Sequence, residues 1–334
     1  MSMLSIIVAI HNQIGHNQLF LEGLRKYTSG SYEIIVVDNN STDGSADYCE
    51  ANGCRVIRNK SNLCYPESMN MGLLSARGDY ICFLNNDVYV GPNWDTSLID
   101  AMEEHGLDAV CPLGLEQMPT RALTDWMHGR WDAIGRWRHS GMTPRGLYGL
   151  IESMYGDWEC FCLEVRRCFY PRLLDGIIGS CVMVKRSLID KIGLLDERIQ
   201  AADWDLYYTL RKREEEVGDV HRAMIVSWVY VHHFMRATLK GKPEPFSCKH
   251  PRLSIDQKWS REEQVRLWCK PWEFHRDSSS GKQPLRVRLG RRLLKVLVGI
   301  KQNARRMVTL CSLPRSPKRV VDMYKSKFSR LLEQ

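Results

Sequence analysis

Residues 79–91 read DYICFLNNDVYVG, and the reading of this stretch decides the fold. Tyr80 to Leu84 is an apolar run containing β-branched and aromatic side chains, the pattern of a buried strand. It stops at Asn85-Asn86-Asp87, residues that favour turns and carry oxygen ligands. Val88, Tyr89 and Val90 resume the apolar pattern, and Gly91-Pro92 closes it. A carboxylate carried by a buried strand to the carboxyl edge of an α/β sheet stands where ligands of that architecture bind. The plainer reading is a polar turn between two strands, so the flanking sequence has to choose.

Upstream, residues 4–10 (LSIIVAI) form a first buried strand that ends in His11-Asn12. Leu19, Phe20, Leu24 and Tyr27 then fall at helical spacing, with Gly30 as a stop. A second strand, Glu33 to Val37, ends in Asp38-Asn39-Asn40-Ser41-Thr42-Asp43-Gly44, where Ser41 or Thr42 is placed to cap a helix through Ala46, Tyr48 and Cys49. A third strand, Cys54 to Ile57, and a helical segment around Glu67–Ala76 lead into the opening stretch. This βαβαβαβ alternation predicts an α/β fold with a mostly parallel twisted sheet flanked by helices. Three strand ends bring small polar or acidic residues to one crevice: His11-Asn12, Asp38-Asn39-Asn40 and Asn85-Asn86-Asp87. No GxGxxG or GxxxxGK[ST] occurs at these turns. A nucleotide-like ligand would therefore be held by side chains and a metal.

SIIVAIHNQ, YEIIVVDNNSTDGS, Asn70-Met71-Gly72 to Ala76-Arg77-Gly78, and GDYICFLNNDVYVGPNW, in that order and spacing, resemble the inverting glycosyltransferases of family 2, which have the GT-A fold. The resemblance implies a hexosyl-type transferase that uses a nucleoside-diphosphate-sugar donor. It assigns the donor to Ile10, His11, Asn12, Asp38, Asn40, Asn70, Asn86 and Asp87, and makes Asp87 the metal-binding carboxylate of the family's Asp-x-Asp position. The chain departs from that pattern at Asn85, where many members carry a second Asp, and at His11, where an aromatic residue is usual.

Downstream, residues 94–105 look helical and 107–112 form a short strand. Leu113 to Leu174, rich in Trp, Arg, Gly and Met, shows no clean period, as expected of a functional or mobile insert. Its tryptophans (Trp126, Trp131, Trp137, Trp158) are either sugar-stacking platforms on the acceptor side or the packing of a subdomain. Regularity returns with a strand, Ile177–Val184, and a helix, Ser187–Ile192. In Ala202-Asp203-Trp204-Asp205-Leu206 the family's Glu-Asp-x-Asp-Leu is kept except that Ala202 replaces the Glu. The resemblance nominates Asp203 as the general base, while Asp205 is read as complementing a helix N-terminus. A strand over Ile225–Val231 ends in His232-His233, of which at most one faces the site because neighbours on a strand alternate. The family's closing motif, a His five residues before a hydroxyl, selects His233 with Thr238, and leaves His232 second. Asp87 and His233, completed by the diphosphate, would suit Mn or Mg.

The net charge of +8 divides unevenly: residues 281–334 carry +13 and residues 1–280 carry −5. RDSSSGKQP, at 276–284, has linker composition. Leu289, Leu293, Val296, Ile300, Ala304, Met307 and Cys311 then recur at helical spacing among arginines and lysines. Residues 285–313 therefore fit a basic amphipathic helix on an anionic membrane surface, or one docked on the protein. No basic–aromatic module or zinc spacing supports nucleic acid as a partner. No run approaches the roughly 18 apolar residues of a membrane span, and the N-terminus lacks the basic region of a signal peptide. The expectation is a cytoplasmic protein, peripheral at the inner face of a membrane, with its 12 cysteines reduced.

The expected organisation is a catalytic domain at 1–245 with an acceptor-side insert at 113–174, a helical extension and linker at 246–280, and a basic tail at 281–334. The acceptor would be a hydroxyl on a glycan, a lipid-linked glycan or a protein. Two rivals stand beside this reading. A nucleotidyltransferase or pyrophosphorylase would show a Gly-rich basic loop after the first strand, and His11 to His16 contains no Lys or Arg. An inactive scaffold is supported by Ala202 and opposed by the joint presence of Asp87, Asp203 and His233.

Overall fold

A computed structural model describes residues 2–134, 141–235, 245–268 and 317–332. The first half alternates β1 (Met3–Ile10), α1 (Ile14–Tyr27), β2 (Ser31–Asp38), α2 (Ser45–Ala51), β3 (Arg55–Arg58), α3 (Tyr65–Ser75) and β4 (Tyr80–Leu84). β1 pairs in parallel with β2 and with β4, and β2 with β3. All five residues of β4 are buried, so its continuous apolar run reflects a strand covered on both faces. α2 is capped by Gly44 at φ 83, not by Ser41 or Thr42, while Asp43 accepts from the Ser45 amide.

Past the Asn-Asn-Asp turn come β5 (Val88–Val90), α4 (Trp94–Glu104) and β6 (Ala109–Leu113). The insert is built of three helices, α5 (Arg121–Ile134), α6 (Pro144–Tyr155) and α7 (Trp158–Phe169), with the short strand β7 (Leu173–Asp175). This corrects the expectation of an irregular segment. Leu123, Met127 and Trp131 form one buried stripe, and Leu147, Ile151 and Tyr155 another. Thr143 and Asp157 cap α6 and α7 through their side chains. Trp131 and Trp158 are buried and Trp126 packs edge-on against Tyr324, so these three rings serve packing. Trp137 lies outside the described residues.

The chain closes the sheet with β8 (Cys181–Lys185), α8 (Arg186–Ile192), α9 (Ala202–Glu216) and β9 (Met224–His233), followed by α10 (Ile255–Lys258), α11 (Arg261–Leu267) and α12 (Pro317–Leu332). Among the described residues the strand order is β3-β2-β1-β4-β8-β6-β9-β5, with β7 also on β9. The β3-β2-β1-β4 half is parallel. The other half is mixed, because β8 runs antiparallel to both β4 and β6 while β6 and β9 are parallel. The carboxyl ends of β1, β2, β4, β6 and β9 consequently fall along one edge, which gives the turn after β4 its neighbours.

The cysteines described are free thiols; Cys82 and Cys181, on paired strands, keep their sulfurs 3.8 Å apart.

α12, the end of the basic tail, docks on the insert. Val320, Tyr324 and Phe328 are buried, and the Tyr324 hydroxyl donates to the Met154 carbonyl at 2.9 Å. Arg130 holds the carbonyls of Ser153 and Met154 and faces the Tyr324 ring. Tyr324→Ala is expected to cost about 3–5 kcal/mol through lost burial and the cavity left behind, read as a lower urea midpoint. A midpoint equal to the wild type would show that α12 does not dock this way. Residues 285–313, expected to lie on a membrane or on the protein, are outside the described residues.

Candidate active site

The turn after β4 is fixed by backbone bonds before any side chain acts. The Asn85 amide donates to the Ser180 carbonyl at 2.9 Å, and the Phe234 amide donates to the Asp87 carbonyl at 2.9 Å. β5 pairs antiparallel with the end of β9, with Val88 opposite His233. This register places Asp87 Oδ1 3.0 Å from His233 Nε2. The other ring nitrogen, Nδ1, bonds Glu116 Oε1, so the imidazole lies between two carboxylates. Burial opposes a charge on His233, but the Asp87 and Glu116 carboxylates outweigh it and push the imidazole up to about 10. His232 points the opposite way, into the aromatic core, with Nδ1 2.8 Å from the Tyr155 hydroxyl. The alternation expected on this strand holds.

Asp203 sits in the first turn of α9, whose N-cap, Ala201, makes no side-chain cap bond. Its carboxylate lies against Gly179: a Cβ there would come within 2.2 Å of Asp203 Oδ2, so the glycine makes room for the acid. Burial and the nearby charge of Glu116 raise the Asp203 pKa, against backbone hydrogen bonds that lower it. Asp205 stands in the first turn of α9, as expected of an acid that complements the helix N-terminus, and has a second role besides. Buried on α9, it accepts from Lys258 Nζ and Trp259 Nε1, both at 2.8 Å, and ties α9 to the extension. Asp203 makes no such tie to a side chain of the extension among the described residues.

The third part is the crevice at the ends of β1 and β2. Asp38 accepts from the Ser41 amide, and Ser41 Oγ accepts from the Asn12 amide. Asn12 Oδ1 accepts from the Thr42 amide at 2.8 Å. His11 Nδ1 donates to the Asn39 carbonyl at 2.7 Å, which leaves Nε2 as the acceptor nitrogen. Asn12 and Asn40 take left-handed φ values of 55 and 63, a conformation Asn tolerates better than most residues. Ile10, His11, Asn12, Asp38 and Asn40 thus gather at one mouth. Asn86 and Asn70 are directed elsewhere: Asn86 Nδ2 donates to Asn17 Oδ1 inside the body, and the Asn70 amide clamps Leu195 and Glu197.

Residues 5–193 match the family model described as Glycosyl transferase family 2. The chain belongs to that family. Among curated relatives, Glycosyltransferase GlyG of Streptococcus pneumoniae serotype 4 is 31% identical over 113 residues, covering 32% of this chain and 38% of the relative. The chain thus matches well under half of that relative's length. Among solved structures, S. aureus TarS 1-349 in complex with UDP-GlcNAc aligns with TM-score 0.44 at 16% identity, over 70% of this chain and 58% of that one. The mannosyltransferase PcManGT from Pyrobaculum calidifontis, in complex with GDP-Man and Mn2+, aligns with TM-score 0.45 at 14% identity, over 92% and 85%. Likeness at that level carries no inference about ligands here.

In this family member Asp87 and His233 converge; the Asp87 carboxylate suits Mn or Mg, and His233 would join it as a ligand once a cation displaces its Nε2 proton. Among the described residues no group of three or more His, Cys, Asp or Glu is arranged to hold a metal alone. A cation held at Asp87 and His233 would therefore need other oxygens to complete its shell. Glu116 and Ser180 line the site without having been singled out in the sequence. Glu116 follows the end of β6 by three residues, and its position after a buried strand is the signal that could have found it.

Proposed function

We propose that the protein transfers a sugar from a nucleoside-diphosphate donor to an acceptor hydroxyl with inversion at the anomeric carbon. The observation that carries this reading is the convergence of Asp87 and His233 at the strand edge that also holds the Asp38 crevice, with Asp203 lying against Gly179 rather than tied, like Asp205, to the extension. Asp38, His11 and Asn12 would hold the nucleoside end, and Asp87 and His233 would face the diphosphate. A divalent cation bound there supplies positive charge for the leaving group. Asp203 takes the proton from the acceptor hydroxyl as its oxygen bonds the anomeric carbon from the face opposite the diphosphate. The bond from that carbon to the diphosphate oxygen breaks, and the nucleoside diphosphate leaves with the electron pair.

The test is incubation with a panel of nucleotide-sugars, with and without Mn2+, followed by assay of free nucleoside diphosphate and of the product's anomeric configuration. Metal-dependent release with inversion supports the reading. Formation of nucleoside triphosphate and sugar 1-phosphate when pyrophosphate is added to the donor would favour a nucleotidyltransferase, and no reaction of any donor would favour an inactive scaffold.

The basic pattern at 285–313 supports contact with an anionic membrane. Replacing Arg288, Arg291, Arg292, Lys295, Arg305 and Arg306 by Gln is expected to abolish sedimentation with phosphatidylserine vesicles and leave donor turnover unchanged. Undiminished sedimentation would remove the membrane contact.

A further inference from the structure

We propose that Glu116 is a positioning residue that fixes the His233 imidazole with Nε2 directed at Asp87 and the metal site. The inference rests on the proposed roles of Asp87 and His233, and adds to them a residue from a third strand end.

Three features deliver Glu116 to this place. The β6–β9 pairing shifts register between Pro112 and Leu113, so the end of β6 is re-aimed where the chain leaves the sheet. The chain then turns tightly, with the Gln117 amide donating to the Gly114 carbonyl. Finally, a Cβ on residue 114 would come within 2.6 Å of Glu116 Oε2, so the carboxylate folds back over the glycine to reach β9.

The His233 ring has one torsion that backbone pairing leaves open, the rotation of the imidazole itself. A half-turn of the ring would present Cε1 in place of Nε2 to Asp87. A carboxylate on Nδ1 removes that freedom: it takes the Nδ1–H bond and leaves Nε2 as the nitrogen for Asp87 or a cation. Carboxylates that accept from the second nitrogen of a ligating histidine fix tautomer and ring orientation, and their loss weakens metal binding by roughly 10–100-fold. Glu116 Oε1 occupies that position on His233. Beyond His233, the carboxylate is held by its own backbone amide and the Ser180 side chain, which steady it in place beside the ring.

The test compares Glu116→Leu and Glu116→Gln, side chains of similar size, of which only glutamine can accept from Nδ1–H. Mn2+ binding to the full chain is read by electron paramagnetic resonance with a saturating nucleoside diphosphate, beside His233→Ala and the wild type. Folding is checked by thermal melting. The expected result is a roughly 10–100-fold loss of Mn2+ affinity in Glu116→Leu and substantial recovery in Glu116→Gln. Wild-type affinity in Glu116→Leu, with affinity lost in His233→Ala, overturns the role of Glu116 and leaves the metal site standing. Wild-type affinity in His233→Ala overturns the metal site and this inference with it. Should Glu116→Leu fail to fold, Glu116→Ala takes its place, with the same loss expected and the same wild-type affinity overturning the role. If neither folds, Glu116→Asp decides, since its shorter side chain falls short of Nδ1: a severalfold loss supports the role, and wild-type affinity overturns it.

Discussion

Asp203→Asn is expected to slow nucleoside diphosphate release by about 10²–10⁴-fold, the usual contribution of a positioned general base, while donor affinity stays at the wild-type level. The separation follows from the structure. Among the described residues the hydrogen bonds that Asp203 accepts come from the backbone, and the asparagine oxygen can still accept them, so the start of α9 keeps its support. The nucleoside crevice is built from the ends of β1 and β2, without α9. Asp205, two residues on, gives the opposite case: its carboxylate joins α9 to Lys258 and Trp259, so its loss would show in stability. Calorimetric titration with the donor and a turnover assay on the same samples separate the two effects. Loss of donor affinity in step with turnover would show that Asp203 belongs to the donor site.

The pH dependence of the wild type carries the same assignment. A base works only when ionised, so kcat/KM falls as pH drops through the pKa of Asp203. Burial and the Glu116 charge raise that pKa. The acidic limb should therefore lie above the ordinary aspartate range and vanish from the profile of Asp203→Asn. A limb at the ordinary aspartate value would detach the base role from Asp203.

Asp87→Ala should abolish metal-dependent release, a loss of about 10³-fold or more, since it removes the charge that would anchor the cation stabilising the leaving diphosphate. The alanine leaves the Phe234-to-Asp87 backbone bond in place, so β5 and β9 keep their register. Turnover like the wild type in this variant would dismiss Asp87 as the anchor. Unlike Asp203→Asn, it should also weaken binding of the donor in Mn2+, because diphosphate and cation share the site.

Much of this is legible in the chain itself. The run from Tyr80 to Leu84 with its polar stop can be read because a strand buried on both faces leaves a continuous apolar signal. Strand alternation lets only one of His232 and His233 face the site, and the resemblance to the family's closing motif selects His233. The insert is not legible in the same way. Its stripes Leu123-Met127-Trp131 and Leu147-Ile151-Tyr155 have helical spacing, but Trp, Gly and Arg between them mask the period. Its aromatic rings suggest sugar platforms, whereas Trp131 and Trp158 are core. Asp205 reads as a partner of the helix dipole because nothing nearby in sequence foretells Lys258, more than fifty residues on. Glu116 is hidden for a related reason: a register shift and a glycine turn direct it, and neither leaves a motif.

Asn85 links the sequence to the central claim. With an amide where many members carry an acid, and no described cluster of three acidic or histidine ligands, the proposed cation would rest on Asp87, His233 and the diphosphate's oxygens together. Binding of metal and nucleotide must then be reciprocal. The direct measurement is calorimetric titration of the wild type with the nucleoside diphosphate released from its best donor, with and without saturating Mn2+. The account predicts an affinity higher by about 5–150-fold in Mn2+, and Mn2+ binding strengthened by the same factor when nucleotide is present. Equal nucleotide affinities with and without Mn2+ would contradict it.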